Sequence, residues 1–124
     1  MRFDHVGIKS ADITRSLDFY TRILGFDLLE TIAIGGRNFY FVGNDKTRIE
    51  IEEANEGDAR IDVNTGFGLY HIALITEDLE KRAAAMKVEQ VKFILEPIQL
   101  REDRKIAFIE DPDGVRIQLI EFLK

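Results

Sequence analysis

The hydrophobic positions of the chain predict two helices in different parts of the sequence. Apolar residues recur at spacings of three and four at Ile13, Leu17, Tyr20 and Leu24. This spacing predicts a helix that starts near Ser10 or Asp12 and stops at Gly25. A second helix is predicted over residues 79–86, where good helix formers follow Thr76, a residue type that caps helix N-termini.

Short apolar runs bounded by Gly, Pro, Asn and Asp predict three strands after each helix. After the first helix they are residues 27–34, 38–42 and 47–52. After the second helix they are about residues 91–96, 105–110 and 115–122. The segment Asp111-Pro112-Asp113-Gly114 supplies a tight turn before the last strand, because Pro and Gly stand where such a turn uses them.

The two halves of the chain are copies of one pattern. The run Phe3-Asp4-His5-Val6-Gly7-Ile8 is echoed by Leu69-Tyr70-His71-Ile72-Ala73-Leu74, and the closing run Arg48-Ile49-Glu50-Ile51 by Arg116-Ile117-Gln118-Leu119. The order β-α-β-β-β therefore occurs twice. We predict an α+β fold with a single domain over residues 1–124, built from a first βαβββ module (1–60) and a second (61–124).

Composition narrows the class of protein. The chain has 124 residues, a net charge of −6, no cysteine, 45% hydrophobic and 32% charged residues, which is typical of one soluble globular domain. The missing cysteines exclude disulfides, iron–sulfur clusters and a thiol nucleophile. The acidic balance argues against a nucleic-acid partner, and no run is long and apolar enough for a membrane span. A cytoplasmic location is the expectation.

Both histidines of the chain, His5 and His71, occupy equivalent places in the repeat. A single strand histidine is usually structural, but two equivalent imidazoles are a common start of a divalent metal site. Alternation along the closing strand puts Glu50 on the face opposite to its apolar neighbours. A carboxylate there either faces solvent or needs a partner such as a metal ion. The histidines favour the second interpretation.

These residues resemble those of the vicinal oxygen chelate superfamily (glyoxalase, bleomycin resistance, dioxygenase), and within it the small bacterial glyoxalase I group. The resemblance covers essentially the whole chain. The motifs that carry it are Phe3 to Gly7 around His5, Phe19 to Phe26, Ile49-Glu50-Ile51, Tyr70 to Leu74 around His71, and Phe108 to Glu121.

The resemblance implies curled mixed and antiparallel sheets around a cleft, a homodimer and a small-molecule substrate. It also implies one divalent metal ion per site (Ni, Co, Zn, Mn or Fe) held by His5, Glu50, His71 and Gln118. Gln118 departs from the glyoxalase I pattern, which has Glu there. Glutamine can bind a metal through its carbonyl oxygen, but the site loses one negative charge and one base.

The implied activity is that of a glyoxalase-type lyase or isomerase. It converts the hemithioacetal of a 2-oxoaldehyde into a 2-hydroxyacyl thioester through a metal-bound enediolate, as in lactoylglutathione lyase. Glu50 is the remaining carboxylate of the ligand set, so it is expected to be both ligand and catalytic base. Lys9 stands where the family tends to have an arginine for the thiol's carboxylate and is a weaker candidate for substrate binding.

Two alternatives stay open. A metal-free small-molecule-binding protein, like the bleomycin-resistance members, would use the same cleft without chemistry. A methylmalonyl-CoA epimerase-like enzyme would share the enolate chemistry, but its usual order of Gln and Glu in the two modules is reversed here. Dioxygenase and fosfomycin-modifying members need a terminal Glu, and Gln118 argues against both.

Overall fold

The structure, a computed structural model, describes all residues from Met1 to Lys124. The chain forms two compact units, residues Met1–Ala59 and Arg60–Lys124, and each contains one four-stranded sheet. The predicted α+β class is confirmed, since two mixed sheets are accompanied by two short helices. None of the helices has the length and apolar character that crossing a membrane requires.

The first unit has the order β-α-β-β-β. Its elements are β1 (Val6–Ser10), α1 (Ile13–Asp18), a π-helical segment (Phe19–Ile23), β2 (Asp27–Ile34), β3 (Arg37–Gly43) and β4 (Arg48–Glu53). The strand order in the sheet is β1-β4-β3-β2. The first and last strands pair in parallel, whereas β2, β3 and β4 pair antiparallel. Residues near the N-terminus therefore lie beside the closing strand.

The second unit repeats this topology. Its elements are β5 (Ile72–Ile75), α2 (Leu79–Val88), β6 (Lys92–Arg101), β7 (Arg104–Glu110) and β8 (Arg116–Phe122). The strand order is β5-β8-β7-β6, again with a parallel pair between the first and last strands. Strand β6 continues beyond the predicted end at residue 96 and includes Pro97, which an edge strand tolerates because its outer N–H groups need no partner.

The closing strands bury alternate residues. Ile49 and Ile51 of β4 are at most 1% exposed, and Ile117 and Leu119 of β8 are also buried. The side chains between them, which include Glu50, are half-buried on the opposite face. Burial of two branched aliphatic side chains per strand contributes several kcal/mol, about 1.5–3 for each side chain. The core therefore fixes which face the polar residues occupy.

The first helix differs in part from its prediction. Asp12 caps its N-terminus by accepting a hydrogen bond of 3.2 Å from the Arg15 N–H, and Gly25 with φ +85° follows its C-terminal end, as the sequence predicts. However, the α-helix proper ends at Asp18, and the predicted last turns form a π-helical segment. The spacing of apolar residues does not distinguish the two forms over so short a stretch.

The second helix begins at Leu79, as predicted, but Thr76 does not cap it. The residue before the helix is Asp78, whose φ is +47° and whose side chain makes no capping hydrogen bond. Instead, the carboxylate of Glu121 on β8 accepts a hydrogen bond of 2.9 Å from the Leu79 N–H. The cap therefore comes from the closing strand, which local sequence does not reveal.

The histidines lie just outside the strands in which the sequence placed them. His5 precedes β1 by one residue, and His71 precedes β5 by one residue. The strands over 3–8 and 69–74 therefore start later than predicted, since the parallel pairing begins at Val6 with Ile49 and at Ile72 with Ile117. Both imidazoles are half-buried and lie directly before the first residue of a strand.

The turn after β3 generates a prediction about folding. Gly43 has φ +154°, and a Cβ atom there would lie 1.8 Å from the Thr47 carbonyl oxygen. We expect Gly43→Ala to lower the free energy of unfolding by about 3 kcal/mol or more, because the backbone around Gly43 and Thr47 must move to make room for the new Cβ atom. Gly35→Ala is the control, since φ is +58° with open space around it, and should cost about 1–2 kcal/mol. Urea titration measures both, and equal losses would contradict the clash.

Candidate functional site

The first pair of predicted ligands, His5 and Glu50, lies at one end of the parallel strand pair. Gly7 of β1 is the partner of Glu50 on β4, and His5 comes two residues earlier, on the same face. The His5 Nε2 atom is 4.0 Å from a Glu50 carboxylate oxygen. Their side chains are 34% and 25% exposed, so both are accessible to a small ligand. We call this pair the first half-site.

An aromatic ring supports the first half-site. Phe41 of β3 is the register partner of Glu50, is buried, and packs edge-on against the His5 ring at 5.2 Å between centroids. The Arg48 guanidinium lies 4.6 Å from the centre of the Phe41 ring and pairs with Glu30. Phe41 thus restricts the tilt of the imidazole. Phe41 is thus both a core residue and a contact of the site histidine.

Asp4 is a site residue that sequence reasoning missed. Its carboxylate lies 2.7 Å from the His5 Nδ1 atom, and the hydrogen bond lowers the pKa of the Asp4 carboxyl. A carboxylate only accepts, so Nδ1 carries a hydrogen, and in the neutral imidazole the lone pair is then on Nε2. The dipeptide Asp4-His5 is visible in the sequence, but nothing in it indicates that the two side chains meet.

Glu50 lacks a Lys or Arg partner, in contrast to its neighbour on the same face. Glu52 lies 3.7 Å from the Arg37 guanidinium, whereas the nitrogen within ion-pair distance of Glu50 belongs to His5. Gly7 also leaves room beside it, because a Cβ atom there would lie 3.4 Å from a Glu50 carboxylate oxygen. The Glu50 carboxylate is thus half-buried, its negative charge is not neutralised by a Lys or Arg, and it is open on the side of Gly7.

The second pair, His71 and Gln118, has the same placement in the second unit. Ala73 of β5 is the register partner of Gln118, and His71 comes two residues earlier. Phe108 of β7 is opposite Gln118 and packs edge-on against the His71 ring at 5.3 Å. We call this pair the second half-site. The repeat therefore holds in three dimensions for the histidine, the aromatic ring and the closing-strand residue.

The surroundings of the two histidines differ. Tyr70 stands in the place of Asp4, and its ring contacts both His71 and the guanidinium of Arg116. The His71 Nδ1 atom is buried and has no hydrogen-bond partner. A buried nitrogen without a partner is costly, which makes it a feature that a bound ligand would relieve.

The two pairs, one in each unit, contain the four predicted ligands. No group of three or more His, Asp or Glu side chains that could hold a metal ion is found in the chain. Glu121, the other carboxylate near the end of β8, is engaged by the N–H of Leu79 and is unavailable to replace Gln118. Alternation along β8 also puts Glu121 on the face opposite to Gln118.

Lys9, the predicted substrate-binding residue, is occupied by an internal partner. Its ammonium lies 3.0 Å from the Asp58 carboxylate. The same carboxylate oxygen accepts a hydrogen bond of 2.8 Å from the Asn55 N–H, and Arg37 donates to the Asn55 side chain at 2.6 Å. Two cations therefore converge on the loop after β4, and Arg37 was not identified from the sequence.

Comparison with known proteins gives the family. Residues 2–119 match the Glyoxalase/Bleomycin resistance protein/Dioxygenase superfamily, and the chain belongs to it, as the sequence predicts. The chain is 36% identical to a probable lactoylglutathione lyase of Synechocystis over 94% of its own length and 92% of that protein. It is 31% identical to lactoylglutathione lyase GLX1 of Arabidopsis thaliana, covering 97% of this chain but 44% of that protein.

A solved structure agrees with these relatives. The trypanothione-dependent glyoxalase I of Leishmania major is 27% identical, has a TM-score of 0.81, and is matched over 98% of this chain and 86% of that one. The glyoxalase fold is therefore confirmed. By its relatives the protein is a lactoylglutathione lyase-like enzyme, which confirms the predicted enzyme class.

The Asp58 contacts generate a prediction about pH. The Asn55 N–H and then Lys9 hold the pKa of the Asp58 carboxyl below its usual value of 3.8. A lowered pKa stabilises the fold above the unfolded value, and the contribution is lost as pH falls through the folded value. The stability difference between wild type and Asp58→Asn should therefore be full well above pH 3.8 and shrink below it.

Thermal or urea unfolding over a pH series measures this difference. Asp45→Asn is the control, because Asp45 is exposed and removal of its charge breaks no contact in the structure. A difference between wild type and Asp58→Asn that does not change with pH would contradict the role of the ionised carboxylate.

Proposed function

We propose that this protein is a metal-dependent glyoxalase that converts the hemithioacetal of a 2-oxoaldehyde into a 2-hydroxyacyl thioester. The observation that carries the proposal is the Glu50 carboxylate, which has no Lys or Arg partner and lies 4.0 Å from the His5 Nε2 atom. An uncompensated, half-buried carboxylate beside an imidazole lone pair suits a divalent cation. Relatives named lactoylglutathione lyase support the same reaction class.

The residues present fit a divalent ion by their chemistry. The donors are the imidazoles of His5 and His71, the carboxylate of Glu50 and the amide oxygen of Gln118, the set that the sequence predicts. The unpartnered, buried Nδ1 of His71 and the space beside Gly7 are the structural features in favour. Ni, Co, Zn, Mn and Fe all suit such a nitrogen and oxygen set, and when bound the ion would polarise the substrate carbonyl.

Glu50 is the group that moves the proton. As an ionised carboxylate it accepts the proton from the carbon that bears the sulfur, and as a carboxylic acid it returns that proton to the neighbouring carbon. Gln118 cannot share this role because an amide has no basic site of comparable strength. Glu121 is engaged with the helix N-terminus. The reaction therefore depends on one carboxylate that is ligand and base.

In this proposal, the thiol portion of the substrate binds near Lys9. The ammonium is an attractive partner for a carboxylate of the thiol, and it would exchange or share Asp58 when the substrate binds. Exposed ion pairs of this kind exchange at little cost. The proposed substrate is therefore a hemithioacetal formed from a 2-oxoaldehyde and a thiol that bears a carboxylate.

We also propose that the protein forms a homodimer. Strand β2 is exposed along its whole length and carries four exposed large apolar residues, Leu28, Leu29, Ile32 and Ile34. Several exposed large apolar side chains on one edge strand are a common feature of interaction sites, and a second copy of this chain would cover them. A cytoplasmic location stays a prediction.

Metal reloading tests the function. Dialysed protein is reloaded with Ni, Co or Mn and assayed for thioester formation from methylglyoxal and glutathione. We expect activity with at least one ion and a loss of about 100-fold or more in Glu50→Gln, because general base catalysis contributes about 10²–10⁴-fold.

Glu53→Gln is the matched control for that variant. It removes the same charge from the same strand, but Glu53 is exposed on the other face. Its activity should stay near that of the wild type. No rate above background with any of the three ions would overturn the proposed reaction, and equal losses in the two variants would remove Glu50 from the role of base.

Gln118 generates a second prediction. A carboxylate in its place restores one negative charge to the ligand set, so Gln118→Glu should bind the divalent ion about tenfold, or about 1.4 kcal/mol, more tightly. Gln99→Glu adds the same charge at an exposed position of β6 and should leave the affinity unchanged. Competition with a metal-binding dye measures both. An unchanged affinity in Gln118→Glu would place Gln118 outside the ligand set.

A metal-free small-molecule-binding protein is the second candidate function. The observation in its favour is that no three His, Asp or Glu side chains of the chain are arranged together for a metal ion. Metal content after purification separates the two functions. A stoichiometric ion that disappears in His5→Ala supports the enzyme, whereas tight ligand uptake without metal supports the binding protein.

A further inference from the structure

The two histidines are equivalent in the repeat, but their Nδ1 atoms are in different surroundings. The His5 Nδ1 atom lies 2.7 Å from a carboxylate, whereas the His71 Nδ1 atom is buried with no partner. The residue that makes the difference directly precedes each histidine: Asp4 in the first unit and Tyr70 in the second. This difference arises from one position of an otherwise matched arrangement.

A neutral imidazole exists in two tautomers, and the hydrogen-bond partner of one nitrogen decides which is populated. Because the ionised Asp4 carboxylate can only accept, it selects the tautomer with the hydrogen on Nδ1. The lone pair is then on Nε2, the nitrogen that lies 4.0 Å from Glu50. The contact with Phe41 restricts the ring from its side, so both rotation and tautomer are constrained.

We propose that Asp4 is a positioning residue that fixes the tautomer and orientation of His5, so that His5 and Glu50 form the preorganised half of the ligand set. His71 has ring contacts but no carboxylate partner, so no hydrogen bond selects its tautomer. The proposal rests on the proposed metal site. Asp4 itself is 79% exposed at its side chain and acts through His5, not on the substrate.

The exposure of Asp4 makes it a clean target for substitution. Asp4→Ala removes the acceptor with little effect on packing, and Asp45→Ala removes the same charge at an exposed position without hydrogen-bond partners. The two histidines are the only imidazoles in the chain, so each ring can be assigned in a long-range ¹H–¹⁵N spectrum.

The first measurement is made on metal-free protein. We expect one tautomer for His5 in the wild type and in Asp45→Ala, and a mixture of both in Asp4→Ala, with the His71 signals unchanged. A His5 tautomer that is the same in Asp4→Ala and wild type would overturn the proposal. This result does not depend on metal binding, so it separates the positioning role from the proposed function.

The second measurement is the affinity for Ni or Zn, by competition with a chelator. Loss of a carboxylate behind a ligating histidine typically weakens metal binding about 10–100-fold, and we expect a change in this range for Asp4→Ala and none for Asp45→Ala. Equal affinities of wild type and Asp4→Ala would also overturn the proposal. If the wild type binds neither ion, the proposed metal site fails, and the tautomer result alone decides the effect of Asp4 on His5.

Discussion

The register of the parallel strand pairs is the constraint on which the candidate site depends. In the first unit Gly7 pairs with Glu50, and in the second Ala73 pairs with Gln118. Side chains alternate along a strand, so a slip by one residue would bury Glu50 and expose Ile49 and Ile51. The free energy of burying those isoleucines therefore holds the carboxylate on the polar face. The core and the site are two faces of the same strand.

This constraint also determines how the other groups converge. The antiparallel partner β3 places Phe41 opposite Glu50, and the segment before β1 brings His5 over that ring. Three elements thus place an imidazole, an aromatic ring and a carboxylate close together. The second unit has the same arrangement of an imidazole, an aromatic ring and a closing-strand residue, formed by His71, Phe108 and Gln118. A small repeated sheet is therefore sufficient to present paired donors.

Much of this fold was predictable because two kinds of sequence signal, the alternation of apolar residues and the turn or cap residues, are local. Alternation and turn residues located β2 with its observed bounds, and Asp12 marked the start of the first helix. Features that depend on contacts between distant residues were not predictable in the same way. Glu121 caps a helix 42 positions earlier in the chain, and the pairing of Lys9 with Asp58 joins residues separated by 49 positions. The Asp4–His5 contact is local, but it depends on side-chain conformation, which periodicity does not report.

The remaining asymmetry between the half-sites concerns charge. The first half-site has Glu50 in place and Asp4 behind His5, whereas the second has the neutral Gln118 and Tyr70. Anionic groups around the candidate ligands are thus concentrated in one unit. The proposed ligand set, with one carboxylate, would neutralise less of a divalent charge than a set with two and would leave more positive potential for a developing oxyanion. In the proposed site, Glu50 would have to serve as both ligand and base, so no other group of the site could compensate for a change in the orientation of His5 and Glu50.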